Sequence, residues 1–547
     1  MRNNHTANKW IYAQAKRFLP QIILTSVLNI LSAFISIYLA KASQQIIDNA
    51  KQNTEKTLLI GGICLFGLII MHIIIDSAVS LISTHTYTKM NISLRNHMFT
   101  RLMKKKYVNI SEYHSGDLLN RFSSDADIVV QGSVGMIPSL ISMLAKIIAG
   151  IGALCVQNYM FAIIVLVIGL VFPLVGRIIS KKYKHIHKEV QQTEGVTRSF
   201  LQESFANIVV VKTLSGEKPF YLKLNEFMET NRKLRIKKGI LSTLISAMIY
   251  LFFTAGYYGV LVWGAGQIAK GAMTIGILIY FLQLISMLRA PLQNISGVIP
   301  KYYSMIASAE RLIELENLED EIIEPKLPSN IEFKAIKADH LTFAYTKEIV
   351  LKDSSFKIES NTITAVTGQS GSGKSTLFKL LLGLYSPTAG TLSFDGTTPI
   401  NETTRKMFSY VPQGNMIISG TLRENISLCD STVSDEDIEK AAKAAVIYDF
   451  INSLPDKFDT VISERGVGLS EGQIQRIAIA RALLFNAPII LLDEATSALD
   501  EATETQLLKN LKKFTDKTII FITHRNTSLN ACDKILHLED GVFQTDK

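Results

Sequence analysis

Two patterns of hydrophobicity divide the chain. Through the first 300 residues the apolar runs are long, and from residue 331 onward short apolar runs alternate with segments of helical periodicity. Crossing a hydrocarbon core of about 30 Å takes roughly 20 helical residues. Six stretches reach that length, near 21–43, 57–83, 133–157, 159–180, 239–265 and 273–297. Runs such as Phe161–Gly176 are apolar around the whole helical circumference, which buried helices of a water-soluble core rarely are. The pattern predicts a membrane domain of six transmembrane helices over 1–320, a short linker over 321–330 and an α/β domain over 331–547.

Composition sharpens this picture. The chain is 48% hydrophobic and only 19% charged, against about 25% charged in soluble proteins. That balance excludes a mainly disordered chain and an ordinary soluble enzyme. Cys64, Cys155, Cys429 and Cys532 are isolated and form neither a disulfide framework nor a zinc motif. The net charge of +9 is unevenly placed. Lys and Arg crowd the connections 84–132 and 181–238 and are nearly absent from 44–56, 158 and 266–272. By the positive-inside rule the basic connections and both termini are cytoplasmic. The expected location is the cytoplasmic membrane, multi-pass, and the excess charge calls for no nucleic acid partner. The first span lacks a following small-residue cleavage site, so it is not a signal peptide. No peptidase-like stretch precedes it in this sequence, and leader-peptide processing is not expected.

The two basic connections are not loop-like. Both carry apolar residues at helical spacing, so the membrane helices are predicted to extend far into the cytoplasm. Turn signals near Tyr113–Asp117 and Ser215–Pro219 mark the expected tips. Pro300 is a candidate kink, and KYYSMIASAERLIELEN beyond it reads as a helix.

The α/β half carries the chemistry. NTITAVTG runs into Gly368, Gln369, Ser370, Gly371, Ser372, Gly373, Lys374, Ser375 and Thr376, then into a helical run. This is GxxxxGK[ST] between a strand and a helix, the P-loop of an ATPase. Its amide hydrogens and the helix N-terminus suit phosphate oxygens. Lys374 is placed to reach the β- and γ-phosphates of ATP, and Ser375 to coordinate Mg²⁺. Further on, PIILLDEATSALD is a buried strand ending in two carboxylates. Asp493 takes the Mg²⁺ role and Glu494 that of general base for water.

Between these motifs, Leu469-Ser470-Glu471-Gly472-Gln473 followed by IQRIAIARALL resembles the signature of ATP-binding cassette proteins. The whole chain resembles a half-transporter of the exporter type, from HSGDLLNRFSSDAD and SAERLIELEN in the membrane half to LLDEATSALD in the other. The resemblance implies further roles. Tyr345 is the aromatic that stacks on adenine, and Gln413 is the glutamine that senses metal and water. His524 is the switch histidine at the γ-phosphate, and Asp500 lies in the loop that crosses between subunits. Ser470, Gly472 and Gln473 bind the nucleotide of the opposite subunit, and Glu464-Arg465-Gly466 touches the cytoplasmic extensions. Glu471 departs from the family's usual glycine and is expected to point away from phosphate.

One phosphate loop and one signature per chain imply a second half-transporter. Retention of Glu494 and His524 favours a homodimer, with a heterodimer the alternative. The expected function is ATP-driven export by alternating access, with the lipid bilayer as surroundings. The cargo is an amphipathic molecule: a peptide, a drug-like compound or a lipid. An ATP-gated channel or regulatory membrane protein of the same family is the alternative, disfavoured by the intact catalytic residues. One-chain fusion with six spans fits an exporter better than an importer, and the spans exclude a soluble cassette ATPase. Within the bilayer, Lys146 falls near mid-membrane, either facing an anionic cargo group or paired locally. His72 and Asp76 share a helical face, with Asp76 expected close to the cytoplasmic interface. Tyr250, Phe252, Phe253, Tyr257 and Tyr258 cluster on the fifth span and suit helix packing better than a cargo cavity.

Overall fold

Uninterrupted apolar sequence without a helix breaker gives very long helices in the amino-terminal half. The structure, a computed structural model, describes residues 2–50, 55–157, 183, 185–321, 332–345, 348–414, 416–463 and 468–546. It divides into two units, Met1–Leu102 with Ser115–Asn317 and Met103–His114 with Leu318–Lys547.

The first unit is helical. It contains α1 (Arg2–Ala15), α2 (Leu19–Asn49) and α3 (Glu55–Leu102). After the tip helix α4 (Tyr107–Ser111), which belongs to the second unit, come α5 (Ser115–Asn120), α6 (Ala126–Gln131) and α7 (Ile137–Gln157). Residues 185–206 form α8, followed by α9 (Ile208–Thr213), α10 (Glu217–Ala269) and α11 (Ile275–Glu316). With 48 residues in α3 and 53 in α10, these helices run about 70–80 Å at a 1.5 Å rise, over twice the hydrocarbon thickness. Five described helices are long and apolar enough to cross a membrane, and the predicted span at 159–180 lies outside the described residues. Ile63, Phe66 and Ile74 on α3 and Leu251 and Val262 on α10 are exposed, as expected of side chains whose solvent is lipid or another helix. Where α2, α7, α10 and α11 meet, Leu154, Phe281, Leu284 and Leu288 are buried. Pro291 and Pro300 both lie within α11, which continues through them.

One expectation is refined. A turn falls at 112–114, between α4 and α5, as the turn signal near 113–117 expects, but the tip is wider and begins at Met103. Helix α3 stops at Leu102, and Lys104–Lys106 pair instead with 319–321, through Glu321 N–H to Lys104 O at 2.8 Å and Lys106 N–H to Glu319 O at 3.0 Å. Lys105 is buried, with its Nζ 2.7 Å from Asp320 and donating to Leu318 O. This long-range pairing outweighs helix propensity, and no local pattern announces it. Asp76 on α3 is tied to α2. It accepts a hydrogen bond from Ser32 at 2.9 Å, and Ser32 lies well inside the apolar length of α2, between Arg17 and Lys41. The second tip falls where the turn signal put it, at Leu214–Gly216, with Ser215 at φ 53°.

The second unit is α/β. Strands β1 (Ala335–Tyr345), β2 (Glu348–Glu359), β4 (Ala389–Phe394) and β5 (Thr398–Pro399) form an antiparallel sheet in the order β2-β1-β4-β5. The main sheet has the order β12-β11-β3-β10-β9-β6. Its strands are β3 (Ile363–Gly368), β6 (Phe408–Val411), β9 (Ile489–Asp493), β10 (Thr518–Ile522), β11 (Lys534–Glu539) and β12 (Val542–Asp546). All pairings are parallel except β11 with β12. Every residue of β9 and β10 is buried, the mark of parallel strands covered on both faces. A small pair, β7 (Gly420–Thr421) with β8 (Val461–Ile462), lies apart. The helices are α12 (Lys374–Leu381), α13 (Leu422–Ser427), α14 (Asp435–Ala444), α15 (Tyr448–Ser453), α16 (Glu471–Leu484), α17 (Glu501–Leu511) and α18 (Asn526–Asn530). One core joins α12 to both larger sheets through Leu377, Phe378, Phe343 and Ile520; the other packs α16 and α17 on the main sheet through Ile477, Leu507 and Phe521.

Candidate functional site

Four adjacent parallel strands, β3-β10-β9-β6, end at one edge, where open α/β sheets bind ligands. The phosphate loop follows β3, His524 follows β10, Asp493 and Glu494 close β9, and Gln413 follows β6. Backbone rungs hold this edge together, with Glu494 N–H bonded to Ile522 O at 3.0 Å.

In the loop, Gly368 has φ 144°, and a Cβ there would stand 2.3 Å from Leu538 O. Gly373 has φ 108° and caps α12. Lys374, only 6% exposed, donates from Nζ to Gly368 O and Gln369 O, both at 2.8 Å. Burial pushes its pKa below the usual lysine range. The Ser372 hydroxyl is buried, with no hydrogen-bond partner among the described residues. Gln369, Ser370, Gly371, Ser375 and Thr376 complete the turn and the first turn of α12.

Asp493 is buried, and Ser375 and Tyr410 donate to its carboxylate, Tyr410 to Oδ2 at 3.4 Å. Among the described residues its Oδ1 has no hydrogen-bond partner. Burial raises its pKa, with the neighbouring Glu494 adding to the effect. Burial and the Asp493 carboxylate push the Tyr410 hydroxyl upward as well. Glu494 has φ 50°, a left-handed conformation costly for a side-chain-bearing residue. Its Oε2 accepts from Gln413 Nε2 at 2.7 Å. His524 is exposed beside this edge.

Tyr345 ends β1 half-buried, its hydroxyl 3.4 Å from Thr376 Oγ1 and its ring edge-on to Tyr385 at 5.2 Å. Lys379 lies over both rings, at 5.6 and 6.0 Å.

The signature residues form a separate assembly. Ser470 caps α16 in a capping box with Gln473, accepting from Gln473 N–H at 3.3 Å while Gln473 Oε1 accepts from Ser470 N–H at 2.8 Å. At Gly472 a Cβ would come within 2.8 Å of Ala498 O, so the glycine permits close packing. Glu471 is exposed. Asp500 caps α17 through Thr503 N–H at 2.9 Å, which lowers its pKa. Among the described residues, no hydrogen bond joins Ser470, Gly472 or Gln473 to the chain's own phosphate loop. Residues 464–466 lie outside the described residues.

Sequence reading missed several positioning residues. Gln475 donates to Ser497 Oγ at 2.9 Å and accepts from Ala498 N–H at 3.1 Å, tying the signature helix to the 497–500 loop. Arg525 donates to Ser497 O, Leu499 O and Glu504, so the residue after His524 braces that loop. The buried Glu504 also accepts from Thr527 and Ser528. A glutamate in an amphipathic helix looks solvated until the fold covers it, whereas an arginine next to His524 could have been suspected.

A phosphate-binding α/β unit fused behind long apolar helices defines a membrane transport ATPase. Residues 22–292 match the ABC transporter transmembrane region, and residues 351–497 match the ABC transporter family. The chain belongs to the ABC transporter family, with its membrane and ATP-binding parts in one polypeptide. It is 30% identical to the Lactococcin-G-processing and transport ATP-binding protein of Lactococcus lactis subsp. lactis, over 96% of this chain and 76% of that one. It is 30% identical to an ATP-dependent lipid A-core flippase of Syntrophus aciditrophicus, over 82% of this chain and 75% of the flippase. A bacterial Atm1-family ABC exporter solved with ATP bound has the same fold, with a TM-score of 0.79, 22% identity, and 97% and 94% of the two chains covered.

Proposed function

We propose that this chain is one half of a dimeric exporter in the cytoplasmic membrane, with both termini cytoplasmic, that hydrolyses ATP to move an amphipathic cargo outward. The observation that carries the reading is the Gln413–Glu494–Asp493 group gathered at the strand edge that bears the phosphate loop. The signature helix N-terminus is bound to the 497–500 loop instead, so a second cassette must supply that element to each nucleotide. Two cassettes meeting across ATP gain contacts that neither makes alone, and this differential affinity drives the conformational change.

In the site, Lys374 exchanges its two carbonyl partners for phosphate oxygens, and the loop amides hold the rest of the triphosphate. Tyr345 stacks on the adenine. Glu494 orients the attacking water and accepts its proton, while Gln413 and His524 hold water and γ-phosphate in line. The orphaned Asp493 Oδ1 and the Ser375 hydroxyl are hard oxygen donors that suit Mg²⁺. When bound there, the ion supplies charge neutralisation at the phosphates.

Intact Glu494 and His524 favour a homodimer. The relatives' names span lactococcin-G processing and transport, multidrug resistance and a lipid A-core flippase, which supports an amphipathic cargo. The test is reconstitution into vesicles. Cargo movement should require ATP, and wild-type protein in discs should hydrolyse ATP as a dimer. A monomeric, ATP-inert wild type refutes the reading.

A further inference from the structure

Tyr410 stands at the nucleotide edge of the main sheet with no role yet in the chemistry there. It lies on β6, whose parallel pairing with β9 sets Tyr410 beside Leu491 and Val411 beside Leu492. Residues two apart in a strand share a face, so Leu491 and Asp493 lie on the same side of the sheet as Tyr410. That side is the one covered by α12, and the Tyr410 ring packs against the core that α12 closes. The ring meets Phe378 of α12 edge-on at 6.1 Å. Its hydroxyl donates to Asp493 Oδ2 at 3.4 Å.

The two oxygens of Asp493 are treated unequally. The residue is 2% exposed. Oδ2 takes the Tyr410 hydrogen, while Oδ1 has no hydrogen-bond partner among the described residues. A carboxylate oxygen so buried and unpaired calls for an explanation, and a cation is the complement of its charge. Ser375 also donates to the carboxylate, but Ser375 is itself assigned to the ion. Among the described residues, Tyr410 is thus the one donor to Asp493 that stays outside the coordination set. With Oδ2 held, the carboxylate cannot turn about its Cβ–Cγ bond without breaking that contact, and the direction of Oδ1 is fixed. Outer hydrogen bonds of this kind orient metal ligands generally. Packing accounts for the ring on Phe378 but not for the hydroxyl, because phenylalanine would fill the same place.

We propose that Tyr410 is a positioning residue for the metal site, its hydroxyl holding Asp493 Oδ2 so that Oδ1 is presented to Mg²⁺. The proposal rests on the reading of Asp493 as the Mg²⁺ ligand. It gives Tyr410 no contact with the nucleotide, so metal affinity and metal-free nucleotide affinity must respond differently to its loss.

The test uses the full chain in lipid discs with a non-hydrolysable ATP analogue and Mn²⁺ as the probe. Free Mn²⁺ is read from its electron paramagnetic resonance signal. Tyr410→Phe deletes one oxygen and keeps the ring. Removing an outer partner of a metal ligand costs about 10–100-fold in metal affinity. The Tyr410 contact is at the long end of hydrogen-bond distances, so the Mn²⁺ Kd should rise by about tenfold. In EDTA, the affinity for the analogue and the melting temperature should both match wild type. In a parallel assay the Mg²⁺ needed for half-maximal phosphate release should rise by the same factor, and excess Mg²⁺ should recover most of the lost rate. Unchanged Mn²⁺ affinity in Tyr410→Phe would overturn the proposal and, with a lower melting temperature, would assign the hydroxyl to the fold. An equal loss of analogue affinity in EDTA would overturn it too, by placing the hydroxyl on the nucleotide. So would a loss of phosphate release that excess Mg²⁺ leaves uncorrected. Wild type that binds no Mn²⁺ with the analogue would overturn the metal reading itself, whereas tight binding shared by both proteins removes the tyrosine alone.

Discussion

Gln413 Nε2 donates to Glu494 Oε2 at 2.7 Å, joining the loop after β6 to the carboxylate that follows β9. The amide holds the carboxylate in place, and φ 50° at Glu494 fixes its direction. Glu494→Gln keeps shape and hydrogen bonding but removes the base. Hydrolysis should fall by about 10²–10⁴ while ATP affinity is retained, as read by phosphate release and by nucleotide binding on the same sample. Hydrolysis at the wild-type rate would remove Glu494 from the role of base.

Lys374 is held by two backbone carbonyls at 2.8 Å in a buried setting that lowers its pKa. Its positive charge is therefore kept at a cost that an incoming triphosphate relieves. Saturation at about 100 times Kd stabilises a binding protein by about 2.7 kcal/mol. Lys374→Met should erase most of that ATP-dependent rise in melting temperature. An undiminished shift would mean the lysine does not carry nucleotide affinity.

Glu504 tests the bracing of the 497–500 loop. Burial raises its pKa, but hydrogen bonds from Ser528, Arg525, Thr527 and Thr496 outweigh this and leave it below the usual glutamate value. A depressed carboxylate pKa contributes stability above the unfolded value of about 4.3. That contribution is lost as pH falls through the lower folded value. Glu504→Gln should cost about 2 kcal/mol at neutral pH, and the gap to wild type should close on acidification below pH about 4. Scanning fluorimetry across pH checks both, and a gap that widens in acid would contradict the sign.

The strand edge was legible because its parts are local. A glycine loop between a strand and a helix, and carboxylates behind Ile489–Leu492, carry their context within a dozen or so residues. The bracing by Gln475, Glu504 and Arg525 was not, since each bond spans a separation along the chain that no periodicity encodes. The same holds for the tip. Three lysines in a row read as helix or solvated surface, yet Lys105 is buried against Asp320. The bond from Ser32 on α2 to Asp76 on α3 was equally hidden, because it joins two helices that no local pattern relates.

Tyr107, on the tip helix α4, meets Tyr385 edge-on at 5.9 Å, and Ser111 Oγ lies 3.5 Å from the Tyr385 hydroxyl. Tyr385 in turn meets Tyr345, the residue assigned to the base. One aromatic ring thus separates the tip of the first excursion from Tyr345, the proposed adenine platform. Edge-to-face pairs contribute about 0.5–1.5 kcal/mol beyond area burial. A cycle of Tyr107→Ala, Tyr385→Ala and the double variant should show coupling of about 1 kcal/mol in ATP affinity. Tyr385→Ala alone should weaken ATP binding, because Tyr345 loses its lateral support. Tyr107→Ala should reduce stimulation of ATPase by cargo more than it alters ATP affinity, since it loosens the tip while Phe343 and Lys379 still hold Tyr345. Strict additivity of the two substitutions, with stimulation intact, would mean that the rings are neighbours without communication.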